Sequence, residues 1–114
     1  MDDDEKRRIR DDFRGAVNMA PKELEDWLAT QESQSVGQKS DGGEAVGHRM
    51  GRRIVEIKRT RRADLSEDDY SAMNKVVGYV HRHLKQGGPN DADKVPTSRW
   101  RYSLMNWGHD PLKD

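Results

Sequence analysis

The sequence predicts a small all-α protein: a single domain of about five helices with a flexible linker between the second and third. Three observations carry this expectation. Apolar residues recur at helical spacing in five separate windows, cap- and turn-forming residues fall at the ends of those windows, and no stretch alternates strongly enough to compete as a strand. A chain of 114 residues has length for one core and not for two.

The elements follow in order. Asp2 to Asp4 place acidic groups at the positive end of a first helix, in which Ile9, Phe13, Ala16 and Val17 share a face before it ends near Asn18. Pro21 suits the first turn of a second helix, with Leu24, Trp27 and Leu28 as its apolar side. Gln31 to Gly43 holds one large apolar residue, Val36, among three glycines and three serines, and is expected to be a linker that buries nothing. Val46, Met50, Ile54 and Ile57 predict a third helix from about Glu44 to Thr60.

Ser66, three residues before Asp69, has the form of a capping box and starts a fourth helix. Its stripe of Tyr70, Met73, Val76, Val77, Val80 and Leu84 is the clearest period in the chain, and Gly87-Gly88-Pro89 stops it. Thr97 is the expected N-cap of a fifth helix carrying Trp100, Leu104 and Trp107, which Gly108 ends. The tail GHDPLKD is expected to be ordered only near that helix.

Leu, Ile, Val and Phe make up 18 of the 114 residues, below the roughly 20% at which disorder competes. Disorder also requires a high net charge, and here 21 basic and 21 acidic residues cancel. A thin helical core with long solvated faces satisfies both facts.

Several functions are excluded or disfavoured. Without cysteine there is no disulfide, thiolate nucleophile or Cys-based metal site. The first twenty residues are too charged for a secretory signal, and no window approaches the roughly 18 apolar residues of a membrane span. A cytoplasmic, nucleoid or nuclear location is expected, with no membrane association and no secretion. Among His48, His81, His83 and His109 no metal-ligand spacing occurs, so neither metal nor cofactor is expected, and His83 is placed to oppose the dipole of the fourth helix. No catalytic serine arrangement or phosphate-binding glycine loop is present, and no enzyme is expected. Glu67-Asp68-Asp69 reads as helix-start chemistry, and Trp27, Trp100 and Trp107 as packing residues before base-stacking ones.

Charge is unevenly distributed along the chain. Residues 46–62 contain seven basic groups and Glu56, net +6, whereas residues 1–45 carry −5, residues 63–93 carry −3 and residues 94–114 carry +2. At about 100° per residue, Val46, Met50, Ile54 and Ile57 fall within an arc of about 80°, with Arg49, Arg52, Arg53 and Arg59 on another. Such a helix buries one side and shows guanidinium groups on the other, and Arg suits bidentate contact with phosphate. Lys58, Arg61 and Arg62 extend the basic stretch, and Arg99 and Arg101 flank Trp100. Three readings are open: a nucleic-acid interface, a solvated face whose arginines pair with Glu56 at i+3 and i+4, or a surface for an acidic partner.

The segment GHRMGRRIVEIKRTRRADLSEDDYSAMNKVVGYVHRHL, the later WRYSLMNWGHDPLK and the upstream NMAPKELEDWL together resemble the small proteins of the domain of unknown function 3140 family. Trp107 to Lys113 is the most distinctive part, and the long polar linker is a departure. Members are commonly labelled DNA-binding, so the resemblance implies a non-enzymatic, DNA-associated helical protein and transfers no active residue. The resulting expectation is a DNA-binding protein, with RNA an open alternative, whose phosphate contacts come from Arg49, Arg52, Arg53, Lys58, Arg59, Arg61, Arg62, Arg99 and Arg101. The competing expectation is a protein-interaction module using the basic helix and the tryptophan-bearing fifth helix.

Overall fold

The computed structural model describes residues 1–36 and 46–113. Among them are α1 (Asp3–Ala16), α2 (Pro21–Leu28), a short α3 (Gln31–Ser35), α4 (Val46–Arg59), α5 (Glu67–Gln86) and α6 (Arg99–Asn106), with 3-10 turns at Arg62–Asp64 and Ala92–Thr97. The all-α class and the five longer helices follow the periodicity of the sequence.

Helix starts obey local chemistry. Asp2 caps α1 by accepting the Glu5 N–H, and Pro21 occupies the first position of α2. Ser66 and Asp69 cap α5 reciprocally, each side chain accepting the other's backbone N–H. At α6 the cap is Ser98, one residue beyond the expected Thr97, which remains in the preceding 3-10 turn.

Two helix pairs form the body: α1 packs on α5, and α2 on α4, while α6 touches α2, α3, α4 and α5. Ile9, Phe13, Leu24, Ile54, Ile57, Met73, Val76, Val80 and Leu104 are buried in one cluster, each contributing about 1.5–3 kcal/mol when fully removed from water. Two expected core positions lie outside it, since Val46, at the start of α4, is 40% exposed and Leu84, near the end of α5, is 36% exposed.

The buried arc of α4 is wider than its apolar spacing suggested. Gly51 and Val55 are buried with Ile54 and Ile57, so the arc spans about 160° rather than about 80°. Gly51 explains the close approach. A Cβ there would sit 2.6 Å from the Asn106 carbonyl oxygen and 2.7 Å from the Leu28 side chain.

The expected linker is a correction in part. Its first residues form α3, with Thr30 as N-cap, Ser33 fully buried and Val36 buried; the remainder of the expected linker, residues 37–43, lies outside the described residues. Ser33 is buried because Asn106 satisfies it. The Asn106 Oδ1 accepts from Ser33 Oγ at 2.5 Å and from Trp27 Nε1 at 2.8 Å, while its Nδ2 donates to the Ser33 carbonyl at 3.0 Å.

The tail is also more ordered than expected. Gly108, at φ 82°, turns the chain after α6 in a conformation that favours glycine, and a Cβ there would meet Val17 at 2.9 Å. From that turn the Gly108 carbonyl accepts from Met19, His109 Nδ1 meets the Ala16 carbonyl at 2.7 Å, and Asn18 pairs reciprocally with the Asp110 backbone. The C-terminal segment is thus strapped across the α1–α2 junction.

Replacing Gly51 by Ala should lower unfolding stability by about 1–3 kcal/mol in a urea titration, because overpacking against backbone outweighs the helix propensity that Ala gains. Asn106→Ala should cost about 2–4 kcal/mol by the same measurement, since it strands the Trp27 N–H and the Ser33 hydroxyl. Either substitution leaving the midpoint unchanged would contradict this packing.

Candidate nucleic-acid interface

The outward arc of α4 carries Arg49, Arg52 and Glu56, all exposed, with Arg59 at one edge and Arg53 at the other. Each edge arginine meets a carboxylate from a neighbouring helix. Arg59 Nη1 lies 2.9 Å from Glu25 of α2, and Arg53 Nη2 3.3 Å from Asp69 of α5. The counter-charges at these two edges therefore come from flanking helices rather than from Glu56 of α4.

Asp69 has a double duty. The Ser66 N–H holds its carboxyl below the ordinary aspartate value, with the Ser66 side chain and the Arg53 guanidinium adding to the effect. The Arg59–Glu25 pair is about half exposed on both sides, where an ion pair contributes about 0–1 kcal/mol. The Arg59 guanidinium is thus weakly held.

Arg52 and Arg59 border a groove of about 390 Å3 between α2 and α4, whose apolar lining is Leu28, Ala29 and Val55. His48 stands in the same groove, its Nε2 2.6 Å from the Leu28 carbonyl.

The other expected cations go elsewhere. Lys58 turns its ammonium to the Met19 carbonyl at 3.1 Å, and burial, with the nearby Lys113 charge, lowers its pKa. Arg61 pairs with Asp64 at 3.1 Å. Arg62 is exposed and faces α1 rather than the α2–α4 groove. Arg99 lines a separate cavity with Val36, Tyr79, His83 and Ser103.

Arg101 is the clearest departure from a phosphate-binding role. Its Nε and Nη2 reach both oxygens of Asp110 at 3.1 and 3.0 Å, and Nη1 donates to the Pro96 carbonyl. Burial acts to raise the Asp110 carboxyl, but Arg101 and the Leu112 N–H outweigh it and hold the carboxyl below its ordinary value. Arg101 is a strut for the tail.

The tryptophans are packing residues. Trp107 is buried and stacks on Tyr79 with centroids 4.0 Å apart, Trp27 bonds Asn106, and Trp100 donates to the His83 carbonyl. His83 itself stacks on Tyr79, and burial lowers its pKa, which works against the positive charge expected to oppose the α5 dipole. No group of three metal-ligating side chains occurs among the described residues.

These features define a small all-α domain in which an arginine-bearing helix is held on a thin core. The chain matches the family described as protein of unknown function DUF3140 over residues 12–105, most of its length, and belongs to that family. The match ends before Trp107, so it rests on the helices rather than on the tail strap. No curated protein and no solved structure matches the chain.

Because the Asp110 carboxyl is depressed in the fold, its stabilisation is present above the unfolded value and is lost as pH falls through the folded one. Asp110→Asn should cost about 2–4 kcal/mol at neutral pH. In thermal melts the gap to the parent chain should narrow as pH drops below about 4; a gap independent of pH would show that the strap is not ionic.

Proposed function

We propose that the protein binds nucleic acid, with DNA the favoured form, by docking the outward arc of α4 on the phosphate backbone. The observation that carries this reading is the set of four arginines, Arg49, Arg52, Arg53 and Arg59, on one exposed arc of a helix whose opposite side is anchored by Ile54, Val55 and Ile57. A buried anchor fixes the helix, so the guanidiniums are presented without the ordering cost of a flexible arm.

Phosphate neutralisation supplies the affinity. Arg49 and Arg52 stand at the middle of the arc, and the half-exposed Arg59–Glu25 contact costs little to exchange for a phosphate oxygen. Lys58 and Arg101 leave the proposed contact set, because Lys58 is turned to the Met19 carbonyl and Arg101 is held by Asp110 and the Pro96 carbonyl. Base readout is not part of the proposal, and no catalytic step is.

One observation favours a second reading, a protein-interaction module. The groove beside Arg52 and Arg59 has an apolar lining and both signs of charge at its rim, from Glu25 and Glu56 as well as the arginines, which suits a partner helix better than a phosphate chain. The tryptophan-bearing helix adds no anchor to it, since Trp107 is buried.

Fluorescence anisotropy with a labelled DNA duplex, repeated across a salt series and with a matched RNA, separates these readings. Four engaged phosphates imply a log–log slope of roughly −3.6. Arg49→Glu combined with Arg52→Glu should weaken binding by about tenfold or more, with the circular dichroism spectrum unchanged. Absence of binding at low salt, or an unaltered affinity in the double variant, would sink the nucleic-acid reading.

A further inference from the structure

A second basic cluster lies apart from the α2–α4 groove. Lys6 and Arg10, one turn apart on α1, and Arg62, in the 3-10 turn that follows α4, line a common groove of about 390 Å3. Tyr70 also lines it and fixes its geometry. The Tyr70 side chain is 3% exposed, its hydroxyl accepts from Arg10 Nη1 at 2.8 Å, and the Lys6 ammonium stands 5.5 Å from its ring centroid, within cation–π range.

The distribution of carboxylates is the unusual feature. Acidic groups are abundant on α1, yet Asp4 pairs with Arg7 and Asp11 with Arg14. Among the described residues no carboxylate lies within ion-pair distance of Lys6, Arg10 or Arg62, although Asp3 borders the groove. Lys6 and Arg10 are half-buried, so each has lost part of its hydration without gaining a counter-ion. An anion entering the groove would restore what burial removed. The planar fork of Arg10 matches two oxygens of one phosphorus, Lys6 acts as a point charge, and the Tyr70 hydroxyl, accepting from Arg10, keeps its own proton to donate.

We propose that the Lys6–Arg10–Arg62 groove beside Tyr70 is a binding site for a phosphate group. Two sources share this chemistry: a phosphorylated small molecule, or a backbone phosphate of a nucleic acid. The site does not depend on the α4 reading, because its residues are distinct from Arg49, Arg52, Arg53 and Arg59.

Isothermal titration of the full chain with inorganic pyrophosphate at low ionic strength tests it. The same titration with a short DNA duplex identifies the source. Pyrophosphate should bind saturably to the parent chain and to the Arg49→Glu, Arg52→Glu double variant alike, and roughly fivefold or more weakly to Arg62→Gln and to Lys6→Gln. Both of those single positions keep their surroundings, and circular dichroism checks that they fold. Duplex affinity lowered by Arg62→Gln assigns the groove to a nucleic-acid phosphate; duplex affinity unchanged while pyrophosphate weakens assigns it to a free phosphorylated molecule. No saturable pyrophosphate binding, or equal binding to the parent and to both single variants, overturns the proposal. Loss of the α4 reading alone would leave the pyrophosphate result standing.

Discussion

The buried amide of Asn106 is the constraint on which the arrangement of α2, α3, α4 and α6 depends. An amide removed from water without partners costs several kcal/mol, and here three hydrogen bonds to Trp27 and Ser33 offset that cost. Those partners lie on α2 and α3, so the end of α6 can be buried only if both helices return to it. On the other side, the Asn106 carbonyl oxygen occupies the space that a Cβ at position 51 would need, which sets how closely α4 approaches. Four helices meet at one residue.

From that junction the functional surface follows. With Gly51 and Val55 turned inward, α4 can present only Arg49, Arg52 and Glu56 fully outward, and Arg53 and Arg59 become edge residues within reach of Asp69 and Glu25. The fold thereby sorts a run of seven basic groups in residues 46–62 into distinct roles. Arg49 and Arg52 lie on the exposed arc, Arg53 and Arg59 are paired at the rim, Lys58 donates to a backbone carbonyl, and Arg62 joins α1. The total charge of the stretch is a poor measure of the charge available to a ligand. Since Coulomb attraction between exposed groups is screened within about a Debye length of roughly 8 Å, these local pairings matter more than the chain-wide balance of zero.

The same logic accounts for the tail. Trp107 to Lys113 is the most distinctive part of the family resemblance in the sequence. Its chemistry is spent inside the molecule: Trp107 on Tyr79, His109 on Ala16, Asp110 on Arg101 and Asn18, and Lys113 on Glu23. Lys113 in turn holds the Glu23 carboxyl below its ordinary value. The strap closes the α1–α2 junction, and through Arg101 it removes a guanidinium from the exposed basic set.

Local spacing made most helices legible. Ser66 and Asp69 are three residues apart and cap α5 as their spacing implies, Pro21 starts α2, and the Tyr70–Val80 stripe is buried as its period requires, because each depends on neighbours within one or two turns. What the sequence by itself determined was therefore the helical class, the starts of α1, α2 and α5 and the location of the basic helix. Only the tertiary structure decided that Ser33 is buried, that Arg101 is a strut, and that Lys6 and Arg10 share a groove with Arg62. The reason is separation along the chain: Ser33 finds its partner 73 residues away, Arg59 finds Glu25 34 residues away, and Arg10 finds Tyr70 60 residues away. No helical period links such pairs, and they exist only once the helices have packed.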